Sequence, residues 1–233
     1  TWDKENVKLE EGTVNGKLNM GHAKTKFSYL HSKKFTTIIG VEALLSKDEK
    51  AIDLISAKHK LGVEQLTVAC YLEPTFYFTE NIVGRFGVRA ERNDFTQENN
   101  LAPRLSLAFK TGENSQLSVA YGFFHQNPDK EYLFYTDQLT FEKADQYMLN
   151  FQLNKKGRTL RTEIYYKDYS SLVKFTNQPF YLPEHYTNSG SGYAYGFDIF
   201  FRDKKTIRHG DYWVAYSYID SKRDYENYPT TAT

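Results

Sequence analysis

The sequence predicts an all-β chain: an antiparallel up-and-down meander of about ten long strands, curved as part of a transmembrane β-barrel. Three observations predict it. From Phe141 onward, polar and apolar residues alternate through ADQYMLNFQL, TLRTEIYYK, YAYGFDIFFR and DYWVAYSYID. Successive side chains of an extended strand point to opposite faces, so each run carries one apolar and one polar face. The joints are alternately terse (NKKG) and long (SSLVKFTNQPFYLPEHYTNSGSG), as in a barrel with short turns at one rim and long loops at the other. Aromatics make up 16% of the 233 residues, with 19 Tyr and 17 Phe, a bias of β-sheets and of the interfacial girdles of membrane barrels.

Taken in order, the strands are expected over Lys17–Leu30, Phe35–Leu45, Gly62–Phe78, Ile82–Arg92, Arg104–Lys110, Gln116–His125, Ala144–Leu153, Thr159–Tyr169, Tyr193–Arg202 and Asp211–Lys222. HSKK, TEN, TGENS, NKKG and DKKTIRHG separate alternate pairs. They are polar and rich in Lys, Asn and Gly, and turns select the last two for dihedral reasons. The other joints, near Ser46–Leu61, Asn93–Pro103, Gln126–Lys143 and Ser170–Gly192, are longer. A sandwich would mix long and short connections at both ends. The helix-like stretch KDEKAIDLISAKHK at Lys47–Lys60 has mixed periodicity and reads as an excursion of a long loop.

The faces follow from the period. Tyr147, Leu149, Phe151 and Leu153 oppose Gln146, Met148, Asn150 and Gln152, and Leu160, Thr162, Ile164 and Tyr166 oppose Arg161, Glu163, Tyr165 and Lys167. Tyr193, Tyr195, Phe197, Ile199 and Phe201 oppose Ala194, Gly196, Asp198, Phe200 and Arg202. The first set of each pair suits lipid. Arg85, Arg89, Glu91, Glu163 and Asp198 all fall on the second face, which is the sorting that a cost of roughly 2–4 kcal/mol for a basic residue at the lipid midplane enforces. A soluble antiparallel sheet with one packed face gives the same alternation. Against it stands strand length, since globular strands run to about five or six residues.

The charge balance, net +1 with 25% charged residues, points to no nucleic-acid partner. Mean hydropathy of −0.65 excludes a helical membrane protein but not a barrel, half of whose strand residues face a polar lumen. Cys70 is the single cysteine, so there is no disulfide framework and no CxxC motif. His22, His31, His59, His125, His185 and His209 are isolated from one another, without HExxH or HxH spacing. GSGYAYG at Gly190–Gly196 lacks the GxGxxG spacing, and neither a GxSxG elbow nor a Walker sequence occurs. No catalytic constellation, metal site or cofactor is expected, and the chain is not read as an enzyme. Loop aromatics are the candidates for ligand recognition: Tyr132, Phe134 and Tyr135 in EYLFYTDQ, Phe180, Tyr181 and Tyr186 in QPFYLPEHY, and Tyr225 and Tyr228 in DYENY. Exposed rings stack on sugars or planar groups, although the same rings can instead pack on one another or sit at headgroup level.

Four stretches carry a resemblance to a known family: GRFGVRAE from Gly84, NNLAPRLSLAFKTGENSQLSVAYGFFHQNP from Asn99, RTLRTEIYYKDYSSLV from Arg158, and the long run from Gly190 to Pro229. They resemble the barrel of TonB-dependent outer-membrane receptors, especially those of Bacteroidetes type. The resemblance is diffuse before Val63 and good from there to Pro229. It implies one segment, residues 1–233, of a 22-stranded barrel with a plugged lumen, located in the bacterial outer membrane. The implied function is import of a scarce nutrient, an iron chelate, cobalamin or an oligosaccharide, bound at exterior loops. The implied partners are outer-membrane lipid, the plug and remaining strands of the same chain, TonB acting through an N-terminal region, and a surface lipoprotein. Plug, TonB box and terminal aromatic-ended strand are expected outside this sequence, which stops at Thr233. A passive porin and a soluble carbohydrate-binding β-protein are the alternatives.

Overall fold

A computed structural model describes residues 2–9, 12–54, 58–175 and 185–224. Among these residues eleven strands form one sheet: β1 Trp2–Leu9, β2 Gly12–Ser32, β3 Phe35–Leu54, β4 Lys58–Tyr77, β5 Ile82–Asn93, β6 Asn99–Gly112, β7 Ser115–Gln126, β8 Glu142–Lys155, β9 Arg158–Phe175, β10 Tyr186–Asp203 and β11 Tyr212–Arg223. Each strand pairs antiparallel with its sequence neighbours, so spatial order equals chain order. A single helical turn, α1 at Lys130–Leu133, lies between β7 and β8.

The expected turns fall where the residues dictate. Between β8 and β9, Lys156 and Gly157 have φ of 49° and 82°. Two successive positive-φ residues make the hairpin turn whose twist matches that of paired strands, and Gly supplies the second without strain. Between β10 and β11, the buried carboxylate of Asp203 organises the chain. Its Oδ1 accepts from the amides of Lys205 at 2.6 Å and Thr206 at 2.9 Å. Its Oδ2 accepts from the Thr206 hydroxyl at 2.6 Å and from Arg158 Nε at 2.9 Å.

The stretch expected as a loop excursion, Lys47–Lys60, is corrected by the structure. Its described residues continue β3 to Leu54 and begin β4 at Lys58. The backbone there is paired on both sides, Lys47 with Asn19 of β2 and with Glu64 of β4. The mixed periodicity has a physical cause. At about 3.3 Å per residue, strands of 20 and 21 residues outrun a hydrocarbon layer about 30 Å thick, so these ends meet no lipid. Their outward face is charged instead, with Lys47 3.5 Å from Glu49 and 3.7 Å from Glu64. β1, absent from the sequence reading, pairs among the described residues with this projecting part of β2, Gly12–Asn19. Two long joints also shorten, because β6 begins at Asn99 while β9 runs to Phe175 and β10 begins at Tyr186.

The lipid-directed rows are exposed in this sheet, the opposite of a water-soluble core. Tyr147 is 50%, Ile164 57% and Phe197 37% accessible. On β8 and β9 the uncharged outward stretch is bounded by Asp145 and Asp168 at one end and Lys155 and Arg158 at the other. The nine positions between these boundaries on each strand match the roughly 9–11 that a tilted strand needs to span a bilayer. One step inside the acidic boundary, Tyr121, Tyr147, Tyr166 and Tyr195 form a single register row across β7 to β10. Two of the hydroxyls meet carboxylates, Tyr121 donating to Asp145 at 2.5 Å and Tyr195 to Asp220 at 3.2 Å. This is an aromatic girdle at the long-loop rim.

Candidate functional site

The inward face carries an ion network fixed by register. Glu42 on β3, Ala69 on β4 and Glu91 on β5 stand in one row. The small Ala69 side chain leaves room for Arg89 of β5 to reach across β4. Arg89 Nη1 donates to Glu42 Oε2 at 2.7 Å, while its Nε and Nη2 donate to Glu91 Oε2 at 2.9 and 2.7 Å. The guanidinium fork suits two carboxylates at once, holding three strands in register at this level. His22 Nε2 lies 2.7 Å from Glu42 Oε1, and Lys24 Nζ 3.7 Å from Glu42 Oε2. Nearer the short-turn rim, Arg85 Nε donates to Thr75 Oγ1 at 3.2 Å. Among the described residues, no group of three or more His, Cys, Asp or Glu could hold a metal ion.

At the long-loop rim the segment 127–141 folds inward over the concave side. Asp129 caps α1 by accepting from the Glu131 amide at 3.0 Å. Lys130 Nζ then reaches Asp48 Oδ1 on β3 at 3.0 Å, and Ser46 Oγ donates to Asp48 Oδ2 at 2.9 Å. The Asp48 carboxylate accepting from Lys130 holds its ammonium pKa above the usual lysine value. Leu133 and Leu139 pack with Val63 of β4, Val173 of β9 and Tyr186 of β10, all buried. One small core therefore touches strands five and six places apart in the sheet, which requires the sheet to be curved around it. Asn188 of β10 closes the far end, its Oδ1 accepting from the Thr140 amide at 2.8 Å and its Nδ2 donating to the carbonyls of Thr140 at 3.1 Å and Ser171 at 2.8 Å.

Tyr132, Phe134 and Tyr135 pack against this core, half-buried. Tyr132 lies 5.7 Å from Phe175 and 5.8 Å from Tyr186, and Tyr135 stacks on Tyr186 at 6.0 Å. Tyr186 is 9% accessible, and its burial pushes the phenol pKa up to about 12. The structure thus brings four of the sequence candidates together in mutual packing. Phe180, Tyr181, Tyr225 and Tyr228 lie outside the described residues. The sequence reading missed Asp48, Lys130 and Asn188, and it placed Arg89 and Glu91 on the inward face without their partner Glu42. Asp48 and Lys130 are 82 positions apart, and no local spacing marks such a pair.

An antiparallel meander with an exposed apolar belt on one face, an ion-paired opposite face and an inward-folded rim loop defines the wall of an outer-membrane β-barrel. Residues 49–233 match the family model described as TonB dependent receptor-like, beta-barrel, and the chain belongs to that family, in the bacterial outer membrane. Among solved structures it is similar to the FrpB iron transporter from Neisseria meningitidis in its apoprotein form, at TM-score 0.73 and 12% identity over 95% of this chain and 39% of that one. It is also similar to the ferric yersiniabactin uptake receptor FyuA from Yersinia pestis, at TM-score 0.72 and 12% identity over 94% and 38%. The alcaligin outer-membrane receptor FauA from Bordetella pertussis gives TM-score 0.71 and 11% identity over 95% and 42%. The chain therefore spans about two-fifths of the length of these neighbours. Among curated proteins none matches it in sequence.

Proposed function

We propose that this chain is part of the wall of a TonB-dependent importer that takes a scarce nutrient, an iron chelate, cobalamin or an oligosaccharide, from exterior loops into the cell envelope. The observation that carries the reading is the sorting of the two faces in a chain of this family. An apolar row such as Tyr147, Leu149 and Phe151 faces outward, and Glu42, Arg89 and Glu91 face inward. An inward polar face suits a lumen filled by further parts of the same protein, a plug domain and the remaining strands, with TonB as the energy-coupling partner and a surface lipoprotein assisting capture. The cargoes named for two neighbours, iron for FrpB and ferric yersiniabactin for FyuA, set the order of testing and no more, since identity of 12% carries only the fold.

The test is deletion of the gene for the full-length protein in its host, followed by growth on ferric chelates, cobalamin or oligosaccharides as limiting sources. Loss of growth on one source, reproduced by inactivating TonB, is the expected outcome. Uptake that depends on the gene but not on TonB would instead make the protein a passive channel.

A further inference from the structure

We propose that the segment 127–141 is a fixed brace of the exterior mouth, tying β3 and β4 to β9 and β10, and that it does not swing aside as a lid. Both of its ends are anchored. On one side Lys130 pairs with Asp48, a carboxylate only 7% accessible, and Asn127 Nδ2 donates to Thr67 Oγ1 at 3.4 Å. On the other, the Thr140 backbone forms two hydrogen bonds with the Asn188 amide. Between these anchors the apolar side chains point inward. Leu133 and Leu139 are each 2% accessible, whereas Asp129, Glu131, Asp137 and Gln138 are exposed.

Segments that open readily have few buried apolar contacts. This one has the opposite character, because lifting it would wet Val63, Leu133, Leu139 and Val173 together. The wall around it is shaped to match. Ser171 takes a positive φ of 55°, and the β9–β10 register shifts between Thr187 and Gly190 and again between Gly190 and Gly192. Such bulges bend a strand pair, and Asn188 sits within this one, bonded to both Ser171 and Thr140. The surface that the brace offers to arriving cargo is accordingly polar, with its aromatic rings turned toward the core.

Accessibility of single cysteines to a maleimide-polyethylene glycol reagent tests this in the full-length protein, in isolated outer membranes and on a cysteine-free background that includes Cys70→Ala. Leu133→Cys and Leu139→Cys should react at least about a hundredfold more slowly than Asp137→Cys, as expected of sites that react only through local opening. Adding Asp48→Ala should speed labelling at position 139 by roughly tenfold, the scale of one charge-assisted hydrogen bond transmitted from the opposite anchor. Comparable rates at 133, 137 and 139 would show a segment that opens freely, and a rate at 139 indifferent to Asp48→Ala would show that the anchors are not joined. Either result overturns the proposal. Heat-modifiable gel mobility of each variant checks that the barrel has assembled, so that slow or fast labelling is read only in folded protein.

Discussion

The ring of Tyr165 on β9 occupies the space that a side chain at Gly196 on β10 would fill. The two residues are direct register partners, and a Cβ at position 196 would lie 2.6 Å from the Tyr165 hydroxyl oxygen and also press on the Tyr218 carbonyl oxygen. Tyr71 and Gly40 repeat the arrangement between β4 and β3, where a Cβ would lie 2.6 Å from Tyr71 Cε1. In each case the aromatic ring covers backbone that glycine leaves bare, a device known as aromatic rescue.

Gly196→Ala should therefore destabilise the assembled barrel by about 1–3 kcal/mol, because backbone on β11 as well as the ring must move. Gly21→Ala is the control. Its nearest neighbour would be Leu45 Cβ at 4.0 Å, and its effect should stay within about 0.5 kcal/mol. Urea unfolding of the full-length protein in lipid, followed by tryptophan fluorescence, measures both.

Adjacent residues on β8 should respond oppositely to one substitution. Leu149 is 39% accessible and faces lipid, while Met148 faces the lumen. Leu149→Arg should cost about 2–4 kcal/mol near the midplane, and Met148→Arg markedly less. Folding yield into lipid vesicles across a urea series distinguishes them, and equal penalties would remove the assignment of faces.

Removing Arg89 should leave Glu42 and Glu91 facing each other across Ala69. Arg89→Met is expected to destabilise by about 1–3 kcal/mol, because two hydrogen-bonded carboxylates lose their common donor. Adding Glu42→Gln should recover part of that loss by removing like-charge repulsion. A double-mutant cycle in unfolding free energy checks the coupling.

The turn after β10 should resist acid. Hydrogen bonding from the Thr206 hydroxyl, aided by the Lys205 and Thr206 amides and by Arg158, holds the Asp203 carboxyl well below the usual carboxylate range. A depressed native pKa means that the stabilising contribution is complete above the unfolded value of about 3.9 and is lost as pH falls through the native value. Protection of the Lys205 and Thr206 amides, the ratio of intrinsic to observed exchange rate, should hold down to about pH 4 and fall below it. Asp203→Asn should remove that pH dependence.

Most of the membrane-spanning architecture was legible in the sequence because its rules are local. The period of two separates Tyr147 from Met148 and Ile164 from Tyr165, and Lys156–Gly157 declares a hairpin without reference to the rest of the chain. Lys47–Leu54 was not legible. Above the bilayer nothing enforces alternation, and the stretch is a strand because β2 and β4 satisfy its backbone on both sides.

Sequence by itself determined which residues alternate, where the tight turns lie and which face carries charge, since each depends only on residues a few positions apart. Tertiary structure alone decided that Arg89 spans β4 to Glu42, that Lys130 reaches Asp48, and that Tyr132 and Tyr135 pack on Tyr186 instead of standing free at the rim. Those contacts join residues 47, 82 and about 50 positions apart. They exist because strand register and sheet curvature set distances that no one-dimensional pattern records.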